Sequence, residues 1–444
     1  MSLNVSLPAN PVQGRALKLA LLGTRGIPAG YGGFETFAQQ LAVRLARRGH
    51  QVTVYAEADR AGLPDSWYEG VRIRHIQRPR WGATSVIAYD CGCLRDARRG
   101  YDLLYMLGYG AAWACWWNRK ILGQKVWLNV DGLEWARSKW GRVARGYLRA
   151  MEWVSSWAPT RVLADAQAIA DRYRALYPRG VPCSFIAYGA DLPAAPSQAL
   201  PDLSPWGLHA GEYVLVVARP EPENHVLEIV QGHALWGGDW PLVVVGDVRP
   251  VTPYQRRLLA LAGDRVRFIG GVYDADQLTA LRLGAACHVH GHSVGGTNPS
   301  LLRAMGAGTH TIAYDVVFNR EVAGPHGVYG SSPGEIAAAI DEAEADPVST
   351  EAHGGALAER ARTRYTWDLV ADAYGELCDR LAAGISQRGL FTGRRSKTSP
   401  WRHNRTPWID DRTPRINRRA ERHAVARATA ASNGDLLEIT DNVA

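Results

Sequence analysis

The chain has 444 residues, of which 46% are hydrophobic, enough for two packed domains and an extension, and its formal net charge is +8. That balance favours anionic partners without naming one. Six scattered cysteines, with only Cys91 and Cys93 close together, read as structural thiols of a reducing cytosol and not as a disulfide framework or metal site.

Apolar runs alternate with amphipathic stretches, which predicts parallel sheets with helices on both faces. The run Leu17 to Leu22 holds the first strand, Lys18–Leu22, and is not the apolar core of a signal. Phe34–Arg48 reads as a helix, and Gln51–Tyr55, Asp102–Met106, Val126–Val130, Val162–Ala164 and Ser184–Ala187 as strands. The longest apolar run, Met106 to Trp117, falls short of the ~20 residues a membrane span needs. A proline-rich stretch, Leu192 to Leu208, reads as a linker. The pattern then restarts, with strands predicted at Tyr213–Val217, Leu242–Val245, Val266–Phe268, Ala286–Val289 and Thr311–Ala313.

The expected organisation is therefore α/β, with a Rossmann-like domain at 1–195, a second at 205–365, a helix at 366–385 and a tail at 386–444. Within that tail, Arg388 to Arg427 holds eleven arginines and one lysine among prolines and few aliphatic residues, a composition that cannot bury enough apolar surface to order itself.

The most informative stretch is His290 to Met305, HGHSVGGTNPSLLRAM. Gly295 and Gly296 let backbone amides approach a ligand, and Pro299 suits the first turn of a helix whose N-terminus carries unpaired N–H groups. Gly295, Gly296, Thr297 and Asn298 thus form a candidate phosphate cradle. A second glycine-rich strand-to-helix turn, Gly23 to Phe34, lies in the first half. It lacks the dinucleotide fingerprint, and the chain has no P-loop. Two such turns predict a nucleotide diphosphate held between two domains.

GTRGIPAGYGGFETF at 23–37, NVDGLEW at 129–135, ARPEPEN at 218–224 and HGHSVGGTNPSLL at 290–302 together resemble bacterial family-4 glycosyltransferases, in particular the branch with rhamnosyltransferases of polysaccharide assembly. The resemblance runs from about Lys18 to Cys378. It implies the GT-B fold, two Rossmann-like domains facing a cleft, with a final helix crossing back to the first domain, here Trp367–Leu381. It implies transfer, with retention and without metal or cofactor, of a sugar such as rhamnose from a nucleotide diphosphate-sugar donor to a glycan or lipid-linked acceptor. The expected setting is cytoplasmic, with peripheral contact at the inner face of an anionic membrane and no specific nucleic acid.

By position, Gly32 and Gly33 would approach the donor phosphates, and Arg219 would be the cation on the leaving diphosphate, unless it only pairs with Glu221 or Glu223. Asn224 stands where the wider family has lysine. Arg303 stands where a glutamate usually accepts from ribose hydroxyls, a task arginine cannot perform. Asp131, one residue past a strand end, could orient an acceptor hydroxyl or be a turn aspartate before Gly132. Glu35 and Glu134 are weaker cleft candidates. His290 and His292 suit ligand or phosphate contact better than metal, since no third ligand is evident.

Asp274 and Asp276 resemble a metal-holding D-x-D, but a helix follows, so Asp274 is expected as its N-cap. The stretch Trp135–Trp157 reads as a helix with Lys139, Arg142, Arg145 and Arg149 on one side and Trp140, Val143, Tyr147, Met151 and Val154 on the other, suited to the core or to an anionic membrane. A sugar-nucleotide epimerase and a catalytically silent binding subunit are the alternatives.

Overall fold

β-Branched and leucine-rich runs bounded by turn residues build two sheets, each flanked by helices. A computed structural model describes residues 15–30, 32–193, 202–249 and 252–384. The expected tail and part of the expected linker lie outside the described residues.

The first half comprises β1 (Lys18–Leu22), α1 (Gly33–Arg47), β2 (Gln51–Ala58), β3 (Ser66–Tyr68), β4 (Val71–Gln77), α2 (Ser85–Asp96), β5 (Leu103–Leu107), α3 (Ala112–Lys120), β6 (Lys125–Val130), α4 (Arg142–Ser155), β7 (Arg161–Ala164), α5 (Gln167–Leu176) and β8 (Cys183–Phe185). Its sheet has the order β3-β4-β2-β1-β5-β6-β7-β8, parallel except for β3. The strands β1, β5 and β6 are almost wholly buried, because helices cover both faces of a parallel sheet.

The second half comprises β9 (Val214–Val217), α6 (Val226–Trp236), β10 (Leu242–Val245), α7 (Pro253–Leu261), β11 (Val266–Gly270), α8 (Ala275–Gly284), β12 (Cys287–His290), α9 (Pro299–Gly306), β13 (His310–Tyr314), α10 (Val317–Ala323), β14 (Val328–Gly330), α11 (Pro333–Ala345) and α12 (Pro347–Arg364). The sheet is β11-β10-β9-β12-β13-β14, and every pairing is parallel. Val214, Val216, Val244, Cys287 and Val289 face α6 and α11 in one core, while Leu215, Val243 and Val245 face Leu281 of α8 in another. Asp274 caps α8, accepting from the amides of Asp276 (3.0 Å) and Gln277 (2.9 Å), so the D-x-D pattern is a helix start.

The last helix, α13 (Trp367–Ala382), packs on α1 of the first half. Phe37 stacks on Tyr188 at 4.7 Å and lies 5.7 Å from Tyr374 and 6.4 Å from Trp367. The hydroxyls of Tyr374 and Tyr105 are 2.7 Å apart, and Asn129 donates to Tyr105 at 3.1 Å. Each buried ring pair adds ~0.5–1.5 kcal/mol beyond its area, so α13 is fixed to the first sheet directly below the end of β6.

The basic helix differs from the expectation. Leu148, Met151 and Val154 do pack inward, but Val143 lies on the solvent side at 89% exposure and Trp153 at 56%. The cause is where α4 starts. Trp140 falls before the helix and donates to Glu134 at 3.0 Å, so the inward stripe begins at Tyr147.

Candidate active site

Parallel strands place their C-terminal ends on one edge, where α/β folds gather ligands. The two sheets turn these edges toward each other across a cleft of about 3130 Å³, several times the size of a single small-ligand pocket and large enough for two substrates. Its lining includes Gly32, Gly33, Glu35, Asp131, Glu134, Arg219, Asn224, His290, Gly295, Gly296, Thr297, Asn298 and Arg303, so the residues expected to bind donor or acceptor lie on this one surface.

The second-half wall begins with α9. Pro299 occupies its first turn, and Asn298 caps it by accepting from the amide of Ser300 at 2.8 Å. The amides of Gly295, Gly296 and Asn298 have no acceptor among the described residues. Thr297 differs: its N–H donates to Asp165 Oδ2 at 3.1 Å and its hydroxyl to the Asp165 carbonyl. One of the four cradle amides is therefore already used.

Arg219 follows β9, half-exposed, with its guanidinium 3.4 Å from Glu221. That pair is solvent-exposed and contributes little, so the guanidinium can turn to a ligand. Asn224 is buried and braces this corner, donating to the Arg219 carbonyl at 2.8 Å and meeting His292 Nδ1 at 2.7 Å. It acts on the site through Arg219 and His292.

The first-half wall is fixed by two aspartates. Val130 at the end of β6 pairs with Ala164 at the end of β7, which sets Asp131 and Asp165 side by side. Asp131 has no hydrogen-bond partner among the described residues. Burial pushes its carboxyl up, partly opposed by the charges of Arg137 and Lys139. Asp165 is 1% exposed, with Oδ1 unpartnered, and burial followed by the Asp131 charge pushes it well above the usual carboxylate range. Two neighbouring carboxyls pushed upward favour one ionised and one protonated, and the drier Asp165 is the one that keeps its proton.

The other two acids are tied up. Glu134 accepts from Trp140 and pairs with Arg137 at 2.7 Å and Lys139 at 2.9 Å. Glu35 accepts from the amide of Arg25 at 3.1 Å and closes the glycine loop, in which Gly32 has φ 131°. Both brace the wall.

The halves also touch directly. Leu133 N–H donates to the Val294 carbonyl at 3.2 Å, and Ser138 donates to Glu223 at 2.7 Å. Glu321 accepts from the amides of Gln167 (2.6 Å) and Ala168 (2.9 Å) at the start of α5. A Cβ on Gly296 would overlap the Asp165 carboxylate, so glycine is required there for close approach. Asp165 was not a sequence-derived candidate. Its signal was its position one residue past a strand end, the same as that of Asp131.

Residues 208–364 match the family described as glycosyl transferases group 1. The chain is a glycosyltransferase. Residues 17–191 match a family described as a domain of unknown function, DUF1972. No curated protein matches. Among solved structures, a sucrose-phosphate synthase from Thermosynechococcus elongatus is similar with a TM-score of 0.71 and 20% identity, covering 83% of this chain and 100% of that one. HepE from Anabaena, in complex with UDP and glucose, has a TM-score of 0.61 and 17% identity over 82% of this chain and 99% of its own. A glycosyltransferase from Rickettsia africae ESF-5 has a TM-score of 0.60 and 12% identity over 82% and 98%. At these identities the likeness concerns the fold, which is GT-B.

Proposed function

We propose that the enzyme transfers a sugar from a nucleotide diphosphate-sugar to a glycan or lipid-linked oligosaccharide, with retention, as in the family-4 branch that makes rhamnosyl linkages. One observation carries this reading: three unpartnered cradle amides and the half-exposed guanidinium of Arg219 line one cleft with the free carboxylate of Asp131. Amides and guanidinium suit the charge that grows on a departing diphosphate, and their preorganised dipoles need no rearrangement as it grows. Asp131 suits an acceptor hydroxyl, which it would orient and partly deprotonate. That HepE binds UDP and glucose supports a nucleotide-sugar donor here.

A membrane-borne acceptor is favoured by the exposed surface of α3 and α4, part of which borders the cleft. These helices pack together, with Tyr147 donating to the Gly110 carbonyl at 2.7 Å. Trp113, Trp117, Ile121 and Leu122 are exposed on and just after α3, and Val143 and Trp153 on α4, among exposed Lys120, Arg142 and Arg149. Tryptophans interleaved with cations suit an anionic bilayer interface. No helix among the described residues is long and apolar enough to cross a membrane, so contact would be peripheral.

The test is a panel of nucleotide-sugars incubated with the full chain and a bacterial membrane extract. Transfer of label into lipid-linked product supports the reading. Conversion of the donor without acceptor would favour an epimerase, and binding without turnover a silent subunit. For the membrane face, flotation with phosphatidylglycerol vesicles should exceed that with phosphatidylcholine and fall in Trp117→Ser/Trp153→Ser. Equal flotation of all samples would remove this face from the account.

A further inference from the structure

Beside the cradle, the cleft continues into a groove on the face of the second sheet that carries α8 and α9. The strand period of two puts His288 and His290 of β12 on that face, together with Leu215 and Val243, which pack on Leu281 of α8. The two imidazoles lie 6.1 Å apart, one behind the other along the strand. Arg282, in the last turn of α8, lines the cleft on one side, and Arg303 of α9 lines it on the other.

This groove has donors without acceptors. Arg282 is 4% exposed, its Nε has no hydrogen-bond partner, and no carboxylate pairs with it among the described residues. The charge of Arg303 acts on it and repels it. Both nitrogens of fully buried His288 are unpartnered, as is Nε2 of His290. Among the described residues, the acid that pairs with Arg303 is Asp191, exposed and 4.0 Å away. Burial pushes the Arg282 guanidinium down to about 9 and holds His290 neutral. A dry guanidinium beside a second one is unfavourable unless an anion completes it.

We propose that Arg282, Arg303 and His290 form a second oxyanion subsite, separate from the glycine cradle, that binds a phosphate monoester. Two guanidiniums, from α8 and α9, and an imidazole from β12 line this part of the cleft. That arrangement suits the three oxygens of a phosphate better than the two coplanar oxygens of a carboxylate. The phosphate is either carried by the nucleotide, beyond its diphosphate, or free in solution. The inference rests on reading the adjoining cleft as the donor site.

The experiment titrates inorganic phosphate into the full chain saturated with whichever of UDP, dTDP, GDP or ADP binds best. One phosphate should bind, and Arg282→Gln should weaken it about ten- to hundredfold, the loss of one charge-assisted partner. Arg303→Gln, nearer the surface, provides a second variant should Arg282→Gln not fold. A nucleoside 3′,5′-bisphosphate is then compared with the 5′-monophosphate. A preference for the bisphosphate that Arg282→Gln abolishes assigns a nucleotide-borne phosphate, and inorganic binding without that preference assigns a free one. Absence of phosphate binding to the wild type, or binding that both arginine variants leave intact, would overturn the subsite. If no nucleoside diphosphate binds, the donor reading fails. The phosphate titration of the unliganded chain against the variants then still decides the subsite.

Discussion

Gly132 joins Asp131 to the opposite domain, and replacing it separates backbone strain from interdomain contact. Its φ is 56°, and a Cβ there would lie 2.6 Å from the Val294 carbonyl oxygen and 3.0 Å from Gly295 Cα. Gly207 has nearly the same φ, 57°, but a Cβ there meets nothing within 4 Å. Alanine at either position incurs the left-handed penalty of ~1–2 kcal/mol. Only Gly132→Ala adds an overlap, which a rigid loop relieves by moving roughly 0.5 Å at a further ~1–3 kcal/mol. The loop that moves carries Gly295, so turnover should also fall, by roughly tenfold given that a 1 Å misplacement costs about 10²-fold. Chemical denaturation and steady-state transfer assays on both variants measure these effects. Gly207→Ala should lose stability alone, and Gly132→Ala should lose more stability and also kcat. Equal stability losses with wild-type turnover in both would refute the domain contact at the cradle.

Arg219→Ala should lower kcat about 10²–10³-fold, the range for removing one preorganised donor, and wild-type turnover in the purified variant would remove Arg219 from the chemistry. Asp131→Asn should lower kcat by about 10²-fold or more while leaving nucleoside diphosphate affinity within error, since the carboxylate is assigned to the acceptor; a loss confined to that affinity would reassign it to the donor. His290 is held neutral by burial, which lowers its pKa from 6.5 to about 4. The unfolded chain then binds more protons between these values, so the His290 contribution is complete above pH 6.5 and is lost as pH falls toward 4. Relative to His290→Asn, wild type should lose about 2.5 kcal/mol between pH 7.5 and 4.5, and a pH-independent difference would mean that the ring titrates in the fold as it does in the unfolded chain. The comparison with a variant is needed because Asp165, pushed upward, works in the opposite sense, its contribution being lost as pH rises.

Much of the architecture was legible because the buried strands are continuous apolar runs. Lys18–Leu22 and Leu242–Val245 carry the same bounds in sequence and structure. Polar flanks hid other ends: β12 and β13 extend through His290 and His310, buried histidines that read as loop residues. The hairpin of β3 and β4 was not among the expected strands: β3 has three residues with Trp67 71% exposed, and in β4 the alternation of Val71 and Ile73 with Arg72 and Arg74 breaks at His75. Glycine positions announced the cradle through local chemistry alone. The partners of Glu35, Glu134 and Thr297, by contrast, depend on which strand ends lie side by side. Asp165 lies 132 residues from Thr297, a separation no local pattern spans. Arg282 has no local sequence signal of its own, and only the packing of α8 on the sheet buries it.

The most direct test of the account is a crystal structure of the full chain with a nucleoside diphosphate. The diphosphate should lie in the interdomain cleft, its oxygens within ~3.2 Å of the amides of Gly295, Gly296 and Asn298 and of the Arg219 guanidinium, with the Thr297 amide still on Asp165. A diphosphate held elsewhere, or one that leaves these amides and Arg219 without contact, would contradict the assignment of this cleft as the donor site.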